Sequence, residues 1–249
     1  MKQTRLIMGM PITVDLAEPG ASEQAMDVVF AYFTHVDEVF STYKDTSEIS
    51  RINRGELDSR QYSSEVTEVL ALSEHTKQDT DGYFDVWRNG MCDPSGLVKG
   101  WAVRNAEGIL RERGYRNYYI DAGGDIALSG RKDGRLWRVG IRNPFNRAEI
   151  VKVLTLTDLG VATSGTAIRG QHIYNPHEPD GEPSDVLSLT VIGPNVYEAD
   201  RFATAAFAIG RRGITFIETL PGFEGYMIDA RAQATFTSGF ERYTRAYVE

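Results

Sequence analysis

A single cysteine, Cys92, stands in 249 residues. That excludes an intramolecular disulfide and any zinc site built from several thiolates. Long apolar runs are missing too. Leu6-Ile7-Met8-Gly9-Met10, ahead of Pro11, is too short for the apolar core of a secretory signal. No stretch approaches the ~20 apolar residues of a membrane span, so the sequence predicts no span and, by default, a cytoplasmic protein. Excess positive charge is also lacking. Lys+Arg 27 against Asp+Glu 35 gives a net charge of −8, which disfavours nucleic acid or an anionic membrane as the main partner. A small anionic ligand stays open, because one or two local cations and a helix N-terminus can hold it. Neither a fixed-period repeat nor a low-complexity linker divides the chain. At 41% hydrophobic and 25% charged it reads as one globular domain over 1–249, large enough to bury about 70–75% of its unfolded surface.

The pattern then supplies elements. Leu6 to Leu16 reads as a strand stopped by Glu18-Pro19-Gly20. Met26, Val29, Phe33, Val36, Phe40 and Tyr43 recur at three and four, the apolar stripe of a long helix. A short helix over Glu48–Asn53 follows an Asp45-Thr46-Ser47 cap, and another follows Ser63 or Ser64. A helix from about Leu97 to Arg113 ends at Gly114. From Tyr118 the texture turns to β: Tyr118–Ile120, Asp125–Ser129, Leu136–Ile141, Ile150–Leu156 and Gly160–Thr163 read as an antiparallel meander. Val186–Ile192 is a further strand, Ala199–Ile209 a further helix, and Gly225–Thr237 is strand-like. Pro176–Ser184, rich in proline and acids, reads as a mobile loop. Helices early and hairpins in the middle predict an α+β fold, antiparallel sheet packed with helices.

Four places carry residues suited to chemistry. Asp93-Pro94-Ser95-Gly96 leads into a helix whose first turns include Lys99, an arrangement open to an anion. The lysine opposes the helix dipole unless a negative charge offsets it; a solvated lysine beside an Asp-Pro turn fits the same letters. Asp200 and Thr204, four apart, put two oxygens on one helix face, as a hard cation such as Mg²⁺ requires. An acid in a first helical turn also stabilises the helix unaided. His172 is the best general-base candidate of four histidines, with a structural role as its alternative. Asp79-Thr80-Asp81-Gly82-Tyr83-Phe84-Asp85 is a turn whose rings can flank a planar ligand or simply fill core.

In this order these stretches resemble the FAD:protein FMN transferase family, the ApbE-type flavin transferases. The matching blocks are Met8-Gly9-Met10, Phe40-Ser41-Thr42-Tyr43, Ser47 to Asn53, Asp81 to Asp85 and Asp93 to Trp101. Gly123-Gly124-Asp125, Ala162-Thr163-Ser164-Gly165, His172-Ile173-Tyr174-Asn175-Pro176 and Ala199 to Thr204 complete them. The resemblance implies a single mixed domain similar to the T-fold. It implies FAD as substrate, with Met10, Tyr43, Tyr83, Phe84, Asp85, Asp93, Lys99 and Ile173 at the flavin or its adenosine half. It implies Mg²⁺ held by the Gly96 carbonyl, Asp200 and Thr204. His172 would deprotonate a threonine or serine of an acceptor protein, which attacks the FMN phosphorus and releases AMP. Hydrolysis of FAD to FMN and AMP, or FAD binding without chemistry, is the alternative. Near the proposed base the chain departs from the family pattern, with Thr166 in place of an acid and Asn175 in place of Asp.

Overall fold

Met8 and Gly9 both take positive φ, 55° and 70°, and the chain reverses there. The run expected as one strand over Leu6–Leu16 is therefore two, β1 (Lys2–Ile7) and β2 (Met10–Leu16), antiparallel with Ile7 opposite Met10. A two-residue hairpin of type I′ needs positive φ at both central positions, and methionine does not advertise it. The computed structural model describes residues 1–166, 173–178 and 185–244.

Serine caps start the early helices, as the sequence predicts at Ser47 and Ser63. Ser22 accepts the Ala25 N–H ahead of α1 (Glu23–Phe40), Ser47 accepts that of Ser50 ahead of α2 (Glu48–Asn53), and Ser63 that of Val66 ahead of α3 (Ser64–Asp79). The stripe of α1 ends at Phe40: Tyr43, expected to continue it, is 94% exposed. A small hairpin unseen in the pattern, β3 (Trp87–Arg88) and β4 (Met91–Cys92), precedes α4 (Ser95–Glu112), which begins two residues before the expected Leu97.

The β half contains β5 (Tyr118–Ala122), β6 (Asp125–Ser129), β7 (Trp137–Arg142), β8 (Ile150–Leu156), β9 (Leu159–Gly165) and β10 (Val186–Gly193). Then come α5 (Val196–Ile209), a short α6 (Gly213–Thr219) that the pattern did not suggest, β11 (Glu224–Asp229) and β12 (Ala234–Phe236). Eight strands form one sheet, in the order β1-β2-β5-β6-β9-β10-β11-β12. β7 and β8, expected within the meander, pair among the described residues only with each other and form a separate ribbon. Alternation shows which side of a strand is buried but not what covers it.

Each face of the sheet has its own cover. Ile12, Val14, Tyr118 and Ile120 pack with Phe30, Phe33 and Trp101 under α1 and α4, and Leu189 and Val191 pack with Phe202 and Phe207 under α5. On the opposite face Ile126, Leu128 and Tyr226 meet Trp137, Val139, Leu154 and Phe240. Each such side chain contributes about 1.5–3 kcal/mol by leaving water. Among the described residues no helix is long and apolar enough to cross a membrane. The loop expected to be mobile lies partly, at 179–184, outside the described residues.

Candidate active site

Gly96 and Gly100 sit one helical turn apart where α4 crosses α5. A Cβ on Gly100 would stand 2.6 Å from Cβ of Asp200, and one on Gly96 would stand 3.0 Å from Cγ2 of Thr204. Without side chains there, the α4 backbone comes within bonding reach of α5. The Gly100 N–H donates to Oδ2 of Asp200 at 2.8 Å, and the Thr204 hydroxyl donates to the Gly96 carbonyl at 3.1 Å. The four-residue spacing thus turns both oxygens toward the same stretch of α4. Ser164 on β9 reaches Thr204, with the hydroxyls 3.5 Å apart.

Lys99 lies between them. Its ammonium forms an ion pair with Asp125 at the start of β6 and stands 3.6 Å from Oδ1 of Asp200. In this structure two internal carboxylates meet the helix-opening lysine. Asp125 is fully buried, and its Oδ1 has no hydrogen-bond partner among the described residues. Burial, then the Asp125 charge, push the Asp200 carboxyl well above the usual carboxylate range, with Lys99 acting the other way. Among the described residues two buried carboxylates face one ammonium, a surplus of negative charge. Nothing in the local sequence marks Asp125, because its neighbours Lys99 and Asp200 lie 26 and 75 positions away; its one signal is the Gly123-Gly124-Asp125 block.

In front of this cluster opens a cleft lined by Tyr83, Phe84, Asp85, Asp93, Gly96, Ile173 and Thr204. Seven of the expected residues, spread over nearly half the chain, thus share one surface. The N-terminus of α4 opens into it at Ser95 and Gly96, and Pro94 offers no side-chain cap. Two unexpected neighbours join them. The Arg88 guanidinium lies 4.2 Å from the centre of the Tyr174 ring, and the Tyr174 hydroxyl donates to the Trp87 carbonyl at 3.3 Å.

Local bonds hold the walls. The Asn53 side chain clamps the Cys92 backbone, donating to its carbonyl at 2.9 Å and accepting its N–H at 2.7 Å, just ahead of Asp93. Asp93 donates its N–H to Val86 and accepts that of Ser95 at 3.0 Å. The Thr80 hydroxyl accepts the Phe84 N–H at 3.1 Å, and Asp85 pairs with Lys77 at 2.7 Å. The Cys92 thiol, 1% exposed, is pushed up to about 12 by burial, then by Asp93 and Asp85.

Met10, Tyr43, Lys99 and Asp200 are not among the lining residues. Met10 is buried with its sulfur against Gly123, two residues from Asp125. Tyr43 points into solvent. His172, the expected base, lies outside the described residues. His177 at the cleft edge is anchored to the Asp81 carbonyl at 2.8 Å, its ring 4.5 Å from that of Tyr83.

Comparison with known proteins bears on the family and the fold. The sequence profile of the ApbE family matches residues 8–92 and 87–227. A Vibrio cholerae protein named FAD:protein FMN transferase is 31% identical over 137 residues, 51% of this chain but 41% of that protein's own length. A Haemophilus influenzae protein of the same name is 23% identical over 284 residues, spanning 84% of this chain and 82% of its own. In fold, the chain is similar to the flavin transferase ApbE from Vibrio cholerae, with TM-score 0.82, 22% identity and 98% of both chains covered. The apo form of Pseudomonas stutzeri flavinyl transferase ApbE gives TM-score 0.84 at 22% identity, over 98% and 97% of the two chains. With most of its length matched and its α+β architecture shared throughout, the chain belongs to the ApbE family.

Proposed function

We propose that this protein transfers FMN from FAD to a threonine or serine hydroxyl of an acceptor protein and releases AMP. The observation that carries the reading is the meeting, at one cleft, of the open α4 N-terminus, the oxygens of Gly96 and Thr204, and the rings of Tyr83, Phe84 and Tyr174. Such a cleft offers flat walls for an aromatic ring system and backbone N–H groups for phosphate. The names of the relatives point to FAD as the molecule that combines the two.

The residues present fit Mg²⁺. The Gly96 carbonyl, the Asp200 carboxylate and the Thr204 hydroxyl are all oxygen donors, as a hard cation prefers. The surplus buried negative charge, with one Asp125 oxygen unpartnered, is what a divalent cation would offset. When bound, Mg²⁺ would neutralise charge on the pyrophosphate.

The chain's own groups do the rest. Tyr83, Phe84, Asp85, Asp93 and Ile173 hold the flavin and adenosine halves, with Met10 and Tyr43 assigned to the same task on the family resemblance alone. Lys99 supplies a cation to the pyrophosphate. His172 takes the proton of the acceptor hydroxyl, whose oxygen bonds to the FMN phosphorus. The bond from that phosphorus to the bridging oxygen breaks, and AMP leaves with the oxygen.

Incubation with FAD and Mg²⁺, with and without an acceptor protein, tests the reading through AMP release and protein-bound flavin. AMP and covalent flavin appearing together support transfer. AMP at the same rate without an acceptor, with all the FMN free, replaces it by hydrolysis. FAD binding without AMP removes the chemistry altogether.

A further inference from the structure

The charge of this protein is unevenly placed. Between Arg131 and Lys152 there are seven Lys and Arg against two acids, a local balance of +5 in a chain of net −8. Arg131, Lys132, Arg135, Arg138, Arg142 and Arg147 are all exposed. Elsewhere cations are commonly paired: Arg201 with Asp79 and Glu198, Arg211 with Asp185 and Asp229, Arg242 with Glu224. In the 131–152 segment Lys132 alone forms an ion pair among the described residues, with Asp15.

The segment is the β7–β8 ribbon and its approach. Strict alternation buries Trp137, Val139 and Ile141 against the sheet and turns Arg138 and Arg142 outward. At the tip two apolar side chains are also exposed, Phe145 at 53% and Ile150 at 43%. Arginine beside exposed aromatic and aliphatic groups is the composition of a protein-binding surface. The ribbon is also aimed at the site. Trp137 donates to the Ser129 carbonyl at the far end of β6, whereas Arg142 lies near enough to Asp121, whose carboxyl burial pushes up, to offset part of that rise. Asp121 accepts the Gly124 N–H at 2.9 Å, in the turn that presents Asp125. β7 therefore runs back along the sheet toward the end where Lys99, Asp125 and Asp200 meet.

We infer that the outward face and tip of the β7–β8 ribbon, with Arg138, Arg142, Arg147, Phe145 and Ile150, dock an acidic, partly apolar face of the protein that receives the FMN. The inference rests on the transfer reading for the identity of that partner, but not for the surface itself. Outside the ribbon the chain carries a net −13, since −8 less +5 is −13. A long polyanion such as nucleic acid, or an extended anionic membrane, would meet that charge at once. A compact acidic patch would not, and complementary charge of this kind raises the rate of encounter and selects the partner.

The test needs no catalysis. Two fluorescent peptides share a central threonine and the same apolar residues; one has Asp and Glu flanks, the other Asn and Gln. Their binding to the full chain without FAD is measured by anisotropy. The acidic peptide should bind about tenfold or more tightly, and the advantage should fade between low salt and about 0.5 M NaCl. Arg138→Glu with Arg142→Glu should abolish it. Arg113→Glu with Arg231→Glu, the same change in net charge elsewhere, should keep it. Equal binding of the two peptides by the wild type, or an undiminished preference in the ribbon variant, overturns the inference. So does tighter ribbon-dependent binding of single-stranded DNA or of phosphatidylserine vesicles. AMP release from FAD, followed separately, shows whether the transfer reading has failed instead.

Discussion

Across the eight-stranded sheet the two faces bury very different things. The helix face encloses Lys99 with two carboxylates, Asp125 and Asp200. The ribbon face encloses Trp137, Leu154, Tyr226, Phe240 and their neighbours, an apolar cluster whose indole N–H finds the Ser129 carbonyl, and beside it the buried Asp15 carboxylate is matched by Lys132. Among the described residues each face leaves one carboxylate oxygen without a hydrogen-bond partner, Oδ1 of Asp125 on one and of Asp15 on the other. Burying charge is costly, and an excess carboxylate costs more than a matched pair. The ribbon face therefore stabilises the fold, while the helix face gives up stability to keep a site.

If that contrast holds, removing Asp200 should have the largest effect on activity and little on the fold. Asp200→Ala should lower AMP release from FAD by more than the roughly 10–100-fold that outer-shell partners of a metal typically control. The metal-free variant should unfold at a denaturant concentration no lower than the wild type at neutral pH. Activity within tenfold of wild type would remove the metal from Asp200. Leu154→Ala is the mirror experiment. It should cost about 2–5 kcal/mol in urea unfolding and leave FAD affinity of the folded protein unchanged. A matching loss of affinity would mean that the two faces are not separable.

Lys99→Ala sharpens the comparison within the helix face. FAD affinity in Mg²⁺ should fall roughly ten- to a hundredfold, the usual worth of a charge-assisted contact, and FMN affinity much less. Equal losses for both flavins would place Lys99 away from the pyrophosphate. The smallest effect is on pH dependence. With its carboxyl raised in the folded state, Asp200 contributes stability that is full below the usual carboxylate range and is lost as pH rises through the raised value. Denaturant midpoints of the metal-free protein should therefore drift down from acidic toward neutral pH. Asp200→Asn should flatten that slope, whereas Leu154→Ala should shift the curve without changing its shape.

Much of the site is legible in the sequence because local periodicity fixes it. Asp200 and Thr204 share a helix face by their spacing, Ser95 and Gly96 open a helix by their place after Asp93-Pro94, and both geometries appear in the fold. Asp125 and Arg88 are different. What makes them notable is a partner brought up by tertiary structure, Lys99 in one case and Tyr174 in the other. Asn53 is hidden in the same way, since its clamp on Cys92 closes 39 positions along the chain. The architecture divides along the same line. Element types follow from apolar period and caps, but the hairpin at Met8-Gly9 depends on a left-handed methionine, and the departure of β7 and β8 from the sheet depends on which surface covers them.

The sealed thiol of Cys92 has a corollary for spectroscopy. Thiol reagents attack the thiolate, and this sulfur is both 1% exposed and held protonated to about 12. The native chain is thus a silent background for maleimide dyes. A cysteine introduced by Tyr43→Cys or Phe145→Cys, at positions 94% and 53% exposed, would take the label alone. The pair would let energy transfer follow the loop after α1 and the ribbon tip when FAD or an acceptor is added.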